Sequence, residues 1–263
     1  MPAHLLGERL FSQGLPLDGQ PVGGAWDGVM LLMPRLDAVY VDATSLAPSL
    51  AMFCDVLEPG AAAPLSLEPR HVLERAARRV ERRLGARVMF GVEPEFILQD
   101  SAGRPAEESA VWDFLCGLSQ SISDAGIQVD WFRTGPAAGQ GRVQMRAGQA
   151  LHMADRVMFY RHLAANLARK GALSAVFLPC PAEGGGAPGM PMHVALWKDG
   201  ENLFHDQSGW ARTSPLCRSF ARGLLAHLPA LLAFCAPTTN SYRRLIAGVS
   251  GPAKPILSTE DRM

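Results

Sequence analysis

Hydrophobic residues recur with the period of an amphipathic helix in four segments of the chain. The first predicted helix has proline in its opening turn and ends at a glycine, as helices commonly do. Its apolar residues repeat every three or four positions, which places them on one face. We expect the fourth helix to bend, because it carries Pro229 in its interior. The predicted helices cover 69–84, 110–125, 149–170 and 216–235.

The third predicted helix contains residues with more than one interpretation. We interpret its methionines, Met153 and Met158, as core residues that fill irregular gaps. His152 and His162 are ten residues apart and do not share a face at metal-ligand spacing. Both histidines are therefore interpreted as ordinary polar positions.

Other segments alternate between apolar and polar residues, which is typical of β-strands. A hairpin is predicted where two such segments flank Asp199-Gly200, a strong turn signal. Strands mixed with helices, without any internal repeat, indicate an α+β domain. The predicted strands cover 38–41, 51–56, 91–98, 127–132, 142–146, 174–178, 192–198 and 202–205.

Composition excludes several classes of protein. The 263 residues are 48% hydrophobic and 19% charged, so the chain can bury a core and does not resemble a disordered chain. Lys+Arg and Asp+Glu are equal at 25 each, which gives no indication of a nucleic-acid partner. The most apolar segment, 223–236, is too short to span a bilayer, and the N-terminus lacks a signal-peptide pattern. Five cysteines without a Cys-x-x-Cys pair favour reduced thiols and a cytoplasmic protein.

Two carboxylates stand out within the strand predicted over 91–98. Glu93 and Glu95 are two residues apart, so both side chains should point to one face of that strand. Like charges at this separation require a cation, and oxygen ligands suit Mg²⁺ or Mn²⁺. The alternative is an exposed edge strand with two solvated glutamates, which Pro94 between them would favour. These residues alone leave the two interpretations equally supported.

A series of motifs favours the metal interpretation because they resemble, in order and spacing, those of the glutamine synthetase family. The similarity extends over about residues 40–249. The last motif is the most specific, since it is similar to the family's Pro-x-x-Asn-Ser-Tyr-Lys-Arg-Leu. The motifs are Glu93-Pro-Glu-Phe96, Gly139-Gln140 before a strand and long helix, Phe177-Leu-Pro-Cys-Pro181 before a glycine-rich loop, Met192-His193-Val-Ala-Leu-Trp197, and Pro237-Thr-Thr-Asn-Ser-Tyr-Arg-Arg-Leu245.

The resemblance implies a particular fold. Residues 1–60 would form part of a β-grasp-like N-terminal region. Residues 61–263 would form a glutamine-synthetase-like catalytic domain, a curved antiparallel sheet with flanking helices that is incomplete at its C-terminus.

The family's reaction is ATP-dependent ligation of an amine to a carboxylate, assisted by two Mg²⁺ or Mn²⁺ ions. By resemblance, Glu93 and Glu95 are metal ligands and Arg244 is a catalytic arginine near the transferred phosphoryl group. The expected ligands are an amino acid and ATP, and the expected assembly is a homo- or hetero-oligomer. By the same resemblance, the cofactor-binding residues are His193, Asn240, Ser241 and Tyr242.

Three positions that carry metal ligands in the family are substituted, by Gly135, Arg142 and Pro191. A fourth ligand would lie past residue 263. Arg142 also brings a fixed positive charge to this place. Losing even an outer partner of a metal ligand typically costs ~10–100-fold in affinity or activity. Further departures occur at Cys180, Gly186-Ala187, Ala195 and Ser250.

These departures predict a degenerate relative that is inactive as a ligase and has a binding, regulatory or scaffold role. One alternative is an active carboxylate–amine ligase with an altered substrate, whose replacement metal ligands would come from Asp130, Glu183 or a partner chain. Another is a subunit of a hetero-oligomer with a full-length glutamine synthetase relative. A third is a fragment of a disrupted gene.

Overall fold

The computed structural model describes residues 15–17, 30–45, 47, 49–58, 63–179 and 187–245. Within these ranges, three strands form a small antiparallel sheet in the order β1-β2-β3. They are β1 (Leu15–Leu17), β2 (Met30–Asp42) and β3 (Ser49–Leu57). The strands predicted over 38–41 and 51–56 are confirmed as parts of β2 and β3 and are longer than expected. The division of the chain at residue 60 stays a prediction.

A second antiparallel sheet contains seven strands of the described residues. They are β4 (Arg87–Val92), β5 (Glu95–Gln99), β6 (Val129–Thr134), β7 (Gln140–Gln149), β8 (Ser174–Val176), β9 (Met192–Lys198) and β10 (Glu201–Asn202). The order is β10-β9-β4-β7-β5-β8, and β6 also pairs with β7. The predicted hairpin is confirmed, but its second strand is Glu201–Asn202 and not 202–205.

The prediction of one continuous strand over 91–98 is wrong. β4 ends at Val92 and β5 begins at Glu95. Pro94 lies in the gap and has no N–H group with which to continue a ladder. The backbone N–H groups of Glu93 and Glu95 instead donate to the carbonyls of Pro191 and Gly189, over 3.0 and 2.9 Å. This break therefore fixes the two glutamates against the segment that leads into β9.

Six α-helices and one short 3-10 helix accompany the sheets in the described part of the chain. Glu68 caps the first helix by accepting from two backbone N–H groups, and Gly85 ends it with φ +62°. The predicted bent helix over 216–235 is two helices separated at His227, because Pro229 lies in the first turn of the second. They are α1 (Pro69–Leu84), α2 (Glu108–Asp124), α3 (Ala150–Lys170), α4 (Pro215–Ala226), α5 (Leu228–Cys235), α6 (Thr239–Arg244) and the 3-10 helix Trp210–Arg212.

The main core lies where α2 and α3 pack against the larger sheet. Met153 is buried in it, as expected, but Met158 is 58% exposed, so its interpretation as a core residue is wrong. No helix among the described residues is both long enough and apolar enough to cross a bilayer. The largest fully buried side chains of this core are Tyr160, Phe96, Leu98, Leu115, Leu118, Ile122, Ile127, Met145, Met153 and Leu163.

Polar and aromatic contacts join the small sheet to α3. Tyr40 of β2 stacks on Phe159, with ring centroids 4.9 Å apart. His162 Nε2 lies 2.8 Å from Oδ2 of the buried Asp42. His162 of α3 is therefore more than an ordinary polar position, because it pairs with a carboxylate of the small sheet.

A chain of ion pairs makes a second connection between the small sheet, α1 and α3. The Arg70 guanidinium contacts both carboxylate oxygens of Asp155, each over 3.0 Å. Its third nitrogen lies 2.7 Å from Asp55 of β3. One side chain thus links three elements through charge-assisted hydrogen bonds.

Candidate functional site

The candidate site lies at the break between β4 and β5. Glu93 and Glu95 are each only 5% exposed. Both carboxylates turn toward Arg142 of β7, the register partner of Glu95. Contrary to expectation, the two glutamates do not lie on one face of a single strand, but both reach the same guanidinium, and the interpretation of an exposed edge with solvated glutamates is wrong.

Arg142 supplies the positive charge that two buried carboxylates need. Its Nη2 contacts Glu95 Oε1, and its Nη1 lies 3.8 Å from Glu93 Oε2. A guanidinium is a fixed positive charge in proteins. One positive charge therefore lies between the two carboxylates and offsets part of their combined charge.

The second oxygen of Glu95 is also occupied by protein donors. Oε2 accepts a hydrogen bond from Gln140 Nε2 over 3.2 Å and another from the Gly189 backbone N–H over 2.8 Å. Gln140 reaches this position because residue 135 is glycine: a Cβ there would lie 2.5 Å from Gln140 Oε1. Sequence reasoning identified Gly135 only as a lost ligand and missed the amide that fills its place.

His193 forms the other boundary of the site. Its Nε2 lies 2.6 Å from Glu93 Oε1, so the imidazole and the carboxylate are joined by a hydrogen bond. The Glu93 side chain is 6% exposed and that of His193 is 54% exposed. The buried carboxylate thus orients a histidine that keeps the rest of its ring in solvent.

The predicted substrate arginine is close to this network. Arg244 Nε donates to the Ala187 carbonyl over 3.1 Å. A Cβ on Gly189 would lie 2.5 Å from Arg244 Nη2, so the guanidinium packs directly on the residue whose N–H binds Glu95. The structure therefore brings Arg244, Glu95 and Glu93 together as one cluster.

The other predicted residues of that motif have different surroundings. Ser241 is buried, and its hydroxyl lies 2.9 Å from that of Thr238, the N-cap of α6. Asn240 is half-buried and Tyr242 is 54% exposed. Ser241 thus stabilises the start of α6, whereas Asn240 and Tyr242 remain candidates for ligand contact.

The alternative metal ligands do not complete a site among the described residues. Asp130 pairs with Arg146 over 2.8 Å. Glu183 lies outside the described residues, as do Cys180, Gly186 and Ser250. Nowhere in the described ranges do three or more His, Cys, Asp or Glu side chains form a group that could hold a metal ion.

The donor set at Glu93 and Glu95 does not fit a divalent cation. Mg²⁺ and Mn²⁺ bind through free carboxylate oxygens and bound water. Here both oxygens of Glu95 accept from protein donors, and one of those donors is a cation. A divalent ion would have to displace these partners and then lie beside the guanidinium.

Three comparisons with known proteins agree on the family. The family model described as glutamine synthetase, catalytic domain, matches residues 66–263. A glutamine synthetase of Frankia alni is 28% identical over 308 aligned positions, which include all of this chain and 65% of that relative. The chain therefore spans about 65% of the length of this relative.

Solved structures share the fold. A structure described as a novel glutamine synthase homolog has a TM-score of 0.80 and 28% identity, covering 90% of this chain and 61% of its own. The cryo-EM structure of Plasmodium falciparum glutamine synthetase has a TM-score of 0.82 and 18% identity, covering 92% of this chain and 56% of its own. At that identity, the second likeness concerns the fold alone.

Proposed function

The chain belongs to the glutamine synthetase family through its catalytic domain, but we propose that it does not carry out ATP-dependent amide ligation. It serves instead in a binding, regulatory or scaffold role. The observation that carries this proposal is the contact of the Arg142 guanidinium with both Glu93 and Glu95. In an active ligase of this family, divalent ions would neutralise the triphosphate and orient it.

The physical argument concerns charge and coordination. Two carboxylates attract a divalent ion when both are unpaired, but a guanidinium between them satisfies part of that attraction and repels a second cation. The buried position strengthens the ion pair, because little water screens it. Mg²⁺ with its nucleotide would therefore find both oxygens of Glu95 occupied by protein donors and a fixed positive charge beside Glu93.

The remaining groups are suited to binding a small molecule. Arg244 and His193 lie at the network and offer a cation and a half-exposed imidazole, and the helix that carries Arg244 also carries the exposed phenol of Tyr242. Because Glu95 is paired with Arg142 and Glu93 is hydrogen-bonded to His193, a ligand with a carboxylate or phosphate could bind through the Arg244 guanidinium and the exposed edge of His193. An amino acid or ATP, bound without turnover, is the ligand class that we propose.

The direct test is release of phosphate from ATP in the presence of glutamate, ammonia and either Mg²⁺ or Mn²⁺. We expect no release above that of heat-inactivated protein, while a full-length glutamine synthetase turns over in the same assay. If release is observed, Glu95→Gln is compared with Glu201→Gln, a change of an exposed glutamate on β10. Turnover that Glu95→Gln abolishes and Glu201→Gln preserves would refute the proposal.

A second candidate function is that of a subunit that assembles with a full-length glutamine synthetase. The specific observation is an apolar surface on α4 and α5, two fully described helices in which no side chain is buried. Leu225 is 54% exposed and Phe234 is 84% exposed. Residues 223–242 contain no Asp, Glu, Lys or Arg. Exposed apolar surface of this kind is typical of protein–protein contacts.

Size-exclusion chromatography with light scattering tests whether the chain is such a subunit. We expect the wild-type chain to elute together with a full-length glutamine synthetase and Phe234→Glu to elute alone. Met158→Glu is the matched control, because Met158 is a 58% exposed apolar residue on α3. A wild-type chain that never co-elutes, or an equal effect of both variants, contradicts the candidate.

A further inference from the structure

We infer that Arg142 is a built-in cation that holds Glu93 and Glu95 together, so that the fold needs no divalent ion at this site while the guanidinium is present. Removing the guanidinium should convert the carboxylate pair into a site for free Mn²⁺. This inference rests on the proposed function, since it explains how the site remains stable without metals. It assigns a role to Arg142 and predicts that only a variant without this guanidinium is stabilised by the metal.

The first support is the position of Arg142 in the sheet. It is paired with Glu95 in the antiparallel ladder between β5 and β7, and with Arg133 in the ladder between β7 and β6. A residue that pairs with two neighbouring strands has a fixed backbone, so the Arg142 side chain stays within reach of the glutamates. A dissolved ion has no such tether.

The second support is that the surrounding glycines make room for the donors. Gly135 leaves space for the Gln140 amide, and Gly189 leaves space for Arg244 while its own N–H binds Glu95. These contacts satisfy both oxygens of Glu95 together with Arg142. The donors to Glu95 therefore have space built into the fold, although Arg142 Nε is buried without a hydrogen-bond partner.

The third support is the consequence of removing the charge. Two carboxylates that are 5% exposed would then share one pocket, with His193 as the remaining partner of Glu93. Such a pair either takes up protons or recruits a cation. Mn²⁺ accepts carboxylate oxygens and water, and removing the guanidinium would leave Glu95 Oε1 and Glu93 Oε2 without a cationic partner.

The experiment compares thermal unfolding of wild-type protein and Arg142→Ala in EDTA and in millimolar MnCl₂. Wild type should have the same Tm in both solutions. Arg142→Ala should have a Tm on the order of 10 °C lower in EDTA, from the usual effect of breaking a buried ion pair. At least half of that loss should return with MnCl₂, together with loss of the free-Mn²⁺ EPR signal corresponding to one ion per chain.

The matched control is Arg133→Ala on β6. Its guanidinium lies 4.7 Å from the centre of the Trp131 ring, so its removal takes away the same charge from the neighbouring strand. Its Tm should not respond to MnCl₂.

The inference is overturned if the wild-type Tm rises with Mn²⁺ as much as that of Arg142→Ala. It is also overturned if the Tm of Arg142→Ala is unchanged, or falls and does not recover with Mn²⁺. If Arg142→Ala does not fold in EDTA, refolding in MnCl₂ supports the inference and continued failure overturns it. Phosphate release by the wild-type chain would refute the proposed function separately, because Tm and turnover are independent measurements.

Discussion

Replacing Arg70 by methionine would remove the guanidinium that connects α1 with α3 and the small sheet. The Arg70 side chain is 9% exposed and that of Asp155 is 3% exposed. The change keeps much of the apolar volume but leaves the Asp155 carboxylate buried without its bidentate partner. Removing one member of a buried ion pair typically costs about 3–5 kcal/mol of the free energy of unfolding. We expect the destabilisation by Arg70→Met to lie in that range.

Arg78→Met is the control on the same helix. Arg78 pairs with Glu74 four residues earlier over 2.8 Å, but its side chain is 67% exposed. Exposed pairs at this spacing contribute about 0.3–0.5 kcal/mol, so this variant should be nearly as stable as wild type. The measurement is equilibrium unfolding in urea, in which the two variants differ in their midpoints.

The double variant Arg70→Met/Asp155→Leu tests the cause. If an unpaired buried charge is responsible, replacing both partners by apolar residues should recover much of the loss. A destabilisation by Arg70→Met below about 1 kcal/mol, similar to an exposed pair, would refute the reasoning. So would a double variant less stable than Arg70→Met.

Three further predictions concern single residues. Gly117→Ala in α2 should raise the free energy of unfolding by up to about 1 kcal/mol, because its Cβ would meet only Leu167 Cδ2 at an ordinary 3.5 Å. Gly135→Ala should lower it by about 1–3 kcal/mol through collision with Gln140, and urea unfolding measures both. Burial raises the pKa of Asp42, but hydrogen bonds from neighbouring hydroxyls and an imidazole outweigh this, so the net pKa is lowered. The contribution of this carboxylate to the free energy of unfolding is present above its unfolded pKa of about 3.9 and is lost as the pH falls below that value toward the folded pKa. The free energy of unfolding of Asp42→Asn should therefore decline less steeply in acid than that of wild type.

Local patterns predicted much of the secondary structure. Helical spacing located α1, α2 and α3, and alternation located most strands, because these signals depend on neighbours in the sequence. The break at Pro94 could have been predicted, since the missing N–H group was visible in the sequence. The exposure of Met158 could not, because it depends on which face of α3 meets the sheet.

The candidate site was predictable in its members but not in its bonding. The glutamate pair and the charge of Arg142 were evident from residue types and resemblance. The hydrogen bond between Gln140 and Glu95 joins residues 45 positions apart and depends on a missing Cβ at Gly135. The pair of His162 with Asp42 joins residues 120 positions apart. Contacts of this kind follow from tertiary packing, which local spacing does not determine.

The most direct measurement is anomalous diffraction at the Mn²⁺ absorption edge from crystals soaked in MnCl₂ and ATP. We predict electron density for the Arg142 guanidinium against Glu93 and Glu95, and no anomalous peak within coordinating distance of either carboxylate. An ordered Mn²⁺ ion bound by both glutamates, with the guanidinium turned away, would contradict it.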